Sequence, residues 1–146
     1  MSRKSIATLI AVVLMCLFAL LLMMGCASPS AQATGLQDGS YQIEVDTDSS
    51  MFRSDSCELI VKDGSYTAAL VLPGEGFSKL YYGTAEEAAS AAEQDIYVYH
   101  LNDEGKYTFD LPVSALDEEL QIAAYGQNRD TWYDHTITFH APADAS

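Results

Sequence analysis

The chain has 146 residues, 49% of them hydrophobic, with 21 acidic against 7 basic side chains and a formal net charge of −14 at pH 7. Length allows one ordinary domain beside any leader segment. The charge excludes a nucleic-acid partner, because a polyanion would be repelled and no basic stripe exists to release counterions.

The chain begins with the small basic tip Ser2-Arg3-Lys4, followed by an almost wholly apolar run from Ile6 to Met24 and then Gly25-Cys26. This order resembles a bacterial lipoprotein signal peptide, with Gly25 as the small residue before the cysteine. The resemblance implies cleavage after residue 25, acylation of the Cys26 thiol, and a mature domain lipid-anchored on the outer face of the cell membrane. An uncleaved anchor is the alternative, since about 20 apolar residues span a bilayer; it places the domain on the same side. Removing the leader takes Arg3 and Lys4 with it, so five basic residues face all 21 acidic ones. Residues 26–37, rich in Ala, Ser and Gln, read as a flexible tether; residues 38–141 read as the folded domain and 142–146 as a disordered tail. Cys57 has no intrachain partner once Cys16 and Cys26 are assigned to the leader and the anchor, and reads as a small buried hydrophobe.

From Asp38 the texture becomes β alternation. Tyr41, Ile43 and Val45 share one face of a first strand, and Asp46 to Ser56 is a polar loop interrupted by Met51-Phe52. Leu59 and Val61 lead to Asp63-Gly64, a tight-hairpin signal, and the return strand runs from Tyr66 to Leu72 before Pro73-Gly74. Phe77 to Gly83 reads as less regular. Thr84-Ala85-Glu86-Glu87 has the capping-box pattern and predicts a short helix to Glu93. A strand follows over Ile96–His100, another over Tyr107–Leu111 ended by Pro112, and the last two over Leu120–Tyr125 and Thr131–Phe139, joined by a polar loop from Gly126 to Asp130. About seven short strands at regular spacing predict an all-β antiparallel sandwich or barrel with one helical insertion.

Catalytic signatures are missing: there is no nucleophile elbow, HExxH, CxxC or phosphate-cradling loop, so no enzyme is expected. His135 and His140 lie five apart in a strand and face opposite sides. The aromatic residues are the unusual resource. In the last strand Tyr133, His135, Ile137 and Phe139 form the inward series, which puts the Tyr133 phenol at the rim of the sandwich. A phenol there can line an apolar slot or ligate ferric iron, and His135 on the same face can hydrogen-bond it or touch a ligand.

Four stretches together resemble the near-iron transporter (NEAT) family of haem-binding domains. They are Asp38-Gly39-Ser40-Tyr41-Gln42-Ile43, Ser49-Ser50-Met51-Phe52, Leu59-Ile60-Val61-Lys62-Asp63-Gly64, and Trp132-Tyr133-Asp134-His135-Thr136-Ile137-Thr138-Phe139. The resemblance implies an immunoglobulin-like sandwich in which haem lies between the last hairpin and a short lip helix. Carried over, Tyr133 would ligate the haem iron, Ser49 or Ser50 would hold a propionate, and Met51 and Phe52 would form the lip; His135 and Tyr125 are the further candidates for the site. Ile137 stands where the family has a second tyrosine. The implied cargo is haem or another iron chelate, and the implied partner an iron or haem permease or another surface protein. The competing reading is a non-haem module that recognises a protein, peptide or glycan through Tyr81, Tyr82, Tyr97, Tyr99 and Trp132.

Overall fold

The structure, a computed structural model, describes residues 35–143. The expected signal peptide, Cys26, most of the expected tether and the last three residues lie outside them. Ten strands among the described residues form two five-stranded antiparallel sheets. The first has the order β1 (Gly39–Gln42), β3 (Ser56–Lys62), β4 (Ser65–Val71), β8 (Tyr107–Pro112), β7 (His100–Leu101). The second has the order β2 (Val45–Thr47), β10 (Thr131–Phe139), β9 (Glu119–Gly126), β5 (Phe77–Tyr82), β6 (Tyr97–Val98). The architecture is an immunoglobulin-like antiparallel β-sandwich.

Alternation explains the core. Leu59, Val61, Leu70, Phe109 and Leu111 face inward from the first sheet, and Leu80, Ile122, Ala124, Ile137 and Phe139 from the second; all are buried. Each large apolar side chain taken from water contributes about 1.5–3 kcal/mol. Cys57 is 1% exposed among them, and burial, helped by the nearby Glu58 charge, pushes its thiol up to about 12, so it is inert. The β3–β4 turn is the one its sequence asks for: Lys62 pairs with Ser65, and Asp63 and Gly64 take φ of 51° and 78° between them.

Three expectations fail. The expected strand over Tyr41–Val45 is two strands: β1 belongs to the first sheet and β2 to the second, with the chain crossing at Ile43-Glu44. The strand over Ile96–His100 divides the same way, β6 lying in one sheet and β7 in the other, with Tyr99 at the crossing. The stretch read as irregular, Phe77 to Tyr82, is β5, paired on both sides; a register shift between Phe77 and Lys79 hides its alternation.

The helix α1 (Ala85–Ala89) is shorter than expected but starts where predicted. Thr84 Oγ1 accepts from Glu87 N at 3.2 Å, and Glu87 Oε2 accepts from Thr84 N at 2.8 Å. It packs on β9 and β10, and Asp134 Oδ1 accepts from Ala85 N at 2.7 Å. Asp134 faces outward from β10, so the helix covers the outer face of the second sheet.

Candidate ligand cleft

A cleft of about 560 Å³ opens at the end of the sandwich where β9 turns into β10. Three pieces of chain build it: Ser49 and Met51 from the loop after β2, Gly76 and Phe77 at the start of β5, and the last hairpin with Gly126, Asn128, Arg129, Tyr133 and His135. Its size suits a small organic ligand.

The hairpin wall is held in place. Gln127 N donates to Gly76 O at 3.0 Å and Gln127 Nε2 to Glu75 O at 3.0 Å, so the hairpin loop is tied to the segment before β5. Tyr133 faces inward and half-buried, its ring lying against the backbone of Gly126. A Cβ on residue 126 would stand 2.9 Å from Tyr133 Cε2, so only glycine leaves room for this ring position. The Tyr133 hydroxyl has no hydrogen-bond partner among the described residues.

His135 is 9% exposed. Its Nδ1 lies 2.9 Å from Asp48 Oδ1; a carboxylate only accepts, so Nδ1 carries the proton. The other nitrogen, Nε2, is buried with no partner among the described residues. The ring stacks on Phe52, with centroids 4.9 Å apart and planes at 28°, and meets Phe77 edge-on at 5.9 Å. The loop carrying Ser49 and Met51 is fixed by the same contacts. Asp48 N donates to Thr136 O at 3.4 Å, and Thr47 Oγ1 donates to Phe52 O.

Most of the expected site residues converge. Tyr133, His135, Ser49 and Met51 line one cleft. Phe52 does not form a lip; it is 1% exposed and sits behind His135, because the ring fills the space between His135 and Phe77. Residues 50–52 are bends, and none of residues 49–52 is helical. Ser50 lines a neighbouring hollow of about 450 Å³ with Arg53 and Pro73, which shares Met51, Gly76 and Phe77 with the cleft. Tyr125 points the other way. It is paired with Trp132 in register, on the outer face of the sheet, where the two rings meet at 5.3 Å and its hydroxyl donates to Asp130 Oδ1 at 3.2 Å.

Sequence reasoning missed Gly76, Phe77, Gly126, Asn128 and Arg129. The loop containing Asn128 and Arg129 was recognised only as a polar hairpin connection. The available signal was an arginine placed next to the candidate ligand strand in a chain short of basic residues.

Of the aromatic residues expected to meet a non-haem partner, Trp132 lies on the outer face of the second sheet beside Tyr125, and three others turn toward the core. Tyr82, Tyr97 and Tyr99 pack against the core. Tyr82 donates to Pro112 O at 2.7 Å, and burial, ahead of the nearby Tyr97 and Cys57, pushes its phenol well above the usual range. Tyr99 stacks on Tyr107 with centroids 3.6 Å apart. No group of three or more His, Cys, Asp or Glu side chains among the described residues is arranged to hold a bare metal ion.

No protein-family model matches the sequence, and no curated protein matches it. Among solved structures, the chain is similar to the NEAT5 domain of IsdX2, a B. anthracis hemophore, in complex with heme. The TM-score is 0.50 at 17% identity, over 74% of this chain and 99% of that one. The fold is NEAT-like. A point variant of the same NEAT5 domain in complex with heme is similar at a TM-score of 0.50 and 19% identity, over 75% of this chain and 99% of that one.

Proposed function

We propose that this protein is a lipid-anchored, extracytoplasmic binding protein whose cargo is haem or a closely related iron porphyrin, held for uptake. One observation carries the reading: the inward phenol of Tyr133, without a hydrogen-bond partner among the described residues, shares a cleft with His135, whose Nε2 is buried and likewise unpaired among them. Buried polar groups in folded proteins nearly always have partners, so an unmet one beside a cleft favours a site that a ligand completes.

The residues fit such a cargo. Met51 and Phe77 offer apolar surface for the flat macrocycle, whose removal from water supplies most of the affinity. Gly76 and Gly126 keep the walls free of side chains. Tyr133 supplies an oxygen donor suited to ferric iron. His135, held by Asp48, offers a second group on the same face, where Ile137 is too deep and apolar to support the phenol. Ser49 brings a hydroxyl for an acid group of the cargo. Cys26 is the anchor point in this reading, and an iron or haem permease or another surface protein is the recipient. The protein binds and passes on its cargo without chemically changing it.

Titrating the purified protein with hemin tests the reading. A tyrosinate-type charge-transfer absorption is expected, and Tyr133→Phe should abolish it while the thermal midpoint stays put. Binding with an unaltered spectrum in the Tyr133→Phe variant would remove the phenol from the site.

A further inference from the structure

In so acidic a protein, the two adjoining hollows are free of acid. None of the residues lining the cleft or its neighbour is Asp or Glu, yet each hollow carries one arginine, Arg129 in the cleft and Arg53 beside it. The other basic side chains of the described residues are elsewhere. Lys106 is paired with Asp55 at 2.6 Å and Glu104 at 3.5 Å, Lys79 lies 4.9 Å over the outward Tyr125 ring, and Lys62 ends β3 at its hairpin. Neither arginine has a carboxylate within ion-pair distance among the described residues. The nearest candidate in sequence, Asp130, accepts from the Tyr125 hydroxyl on the outer face. Asp48 is held by His135. The carboxylates of Asp130 and Asp48, close by in the chain, are thus engaged by other groups.

We propose that Arg129 is the group that recognises carboxylate on the cargo, with Ser49 in the same cleft and Arg53 extending the positive rim, so that the site selects an anionic, carboxylate-bearing porphyrin over an uncharged one. A planar guanidinium makes two parallel bonds to a carboxylate, which sets the orientation of the ligand as well as its affinity. Ser49 Oγ accepts from Met51 N at 3.2 Å, so its own proton is available for a carboxylate oxygen. Local positive charge at the mouth also offsets the repulsion that the acidic surface imposes on an anionic cargo. This inference rests on the haem reading above and adds which edge of the cargo the protein reads.

The test compares hemin with hemin dimethyl ester, whose acid groups are uncharged. The full chain is purified in detergent, and each titration is referenced to protein-free micelles. The unaltered protein should bind hemin about tenfold more tightly than the ester, as a charge-assisted contact predicts. Arg129→Ala should weaken hemin about tenfold and leave the ester unchanged, closing the gap, while Arg129→Lys should restore part of it. Arg53→Ala should cost less. Added salt should weaken hemin and spare the ester. Equal affinity of the unaltered protein for both porphyrins, or equal losses for both in Arg129→Ala, would overturn this inference alone. If neither porphyrin binds, the functional reading falls and takes the inference with it.

Discussion

The two ends of β10 treat their polar groups in opposite ways. At the far end, His140 has both ring nitrogens on carboxylates, Nε2 at 2.8 Å from Asp46 and Nδ1 at 3.3 Å from Asp117. Asp117 also accepts from Ala141 N at 3.1 Å, and Asp117 N donates to Phe139 O at 2.8 Å. At the near end, among the described residues, His135 has one nitrogen paired and one unpaired, the Tyr133 hydroxyl is unbonded, and Arg129 has no ion pair. One strand thus runs from a closed network to an open one. The far end is built to hold the sandwich shut; the near end departs from full satisfaction, and such departures concentrate at functional sites.

That contrast breaks most plainly at Phe139. Truncation to alanine at this fully buried position should cost about 3–5 kcal/mol in urea unfolding, with hemin affinity per folded molecule unchanged. His135→Leu should do the reverse. It removes an orphaned nitrogen together with one bond to Asp48, whose side chain is 41% exposed and can rehydrate. Stability should therefore move by no more than about 1 kcal/mol, while hemin binds several-fold more weakly and with a shifted spectrum. A stability loss matching that of Phe139→Ala would make His135 a core residue and erase the distinction. The smallest effect belongs to His140. The Asp46 hydrogen bond raises its pKa above the ordinary value against an opposing effect of burial, aided by the hydrogen bond to Asp117 and by both charges. Its stabilisation is then fully present below about pH 6.5 and is lost as pH rises through the raised value. The melting temperature should fall between pH 6 and pH 8, and the fall should shrink in His140→Asn.

Much of this was legible because long, regular strands carry simple parity. The series Tyr133, His135, Ile137, Phe139 faces inward as alternation requires, whereas Tyr125, expected in the site, lies outside because its register pairs it with the outward Trp132. Asp63-Gly64 and Thr84 marked their turn and helix cap through chemistry that acts over a few residues. The failures come from longer range. Alternation continues unbroken through Ile43-Glu44 and Tyr99, so nothing local marks where the chain changes sheets. The apolar pair Met51-Phe52 does not say which member goes in; the structure leaves Met51 83% exposed and Phe52 1%. The isolation of Arg129 depends on which way Asp130 and Asp48 turn, which only tertiary contacts decide.

The two places where the chain passes from one sheet to the other have a further effect. The outermost strands, β1, β2, β6 and β7, are 4, 3, 2 and 2 residues long, and each pair is one continuous segment wrapped around a side of the sandwich. Val98 and Leu101 are exposed there, but on stubs too short to template a new ladder. Molecules crowded together at high concentration would thus meet only short stubs of unpaired backbone on one another, a poor template for fibrils.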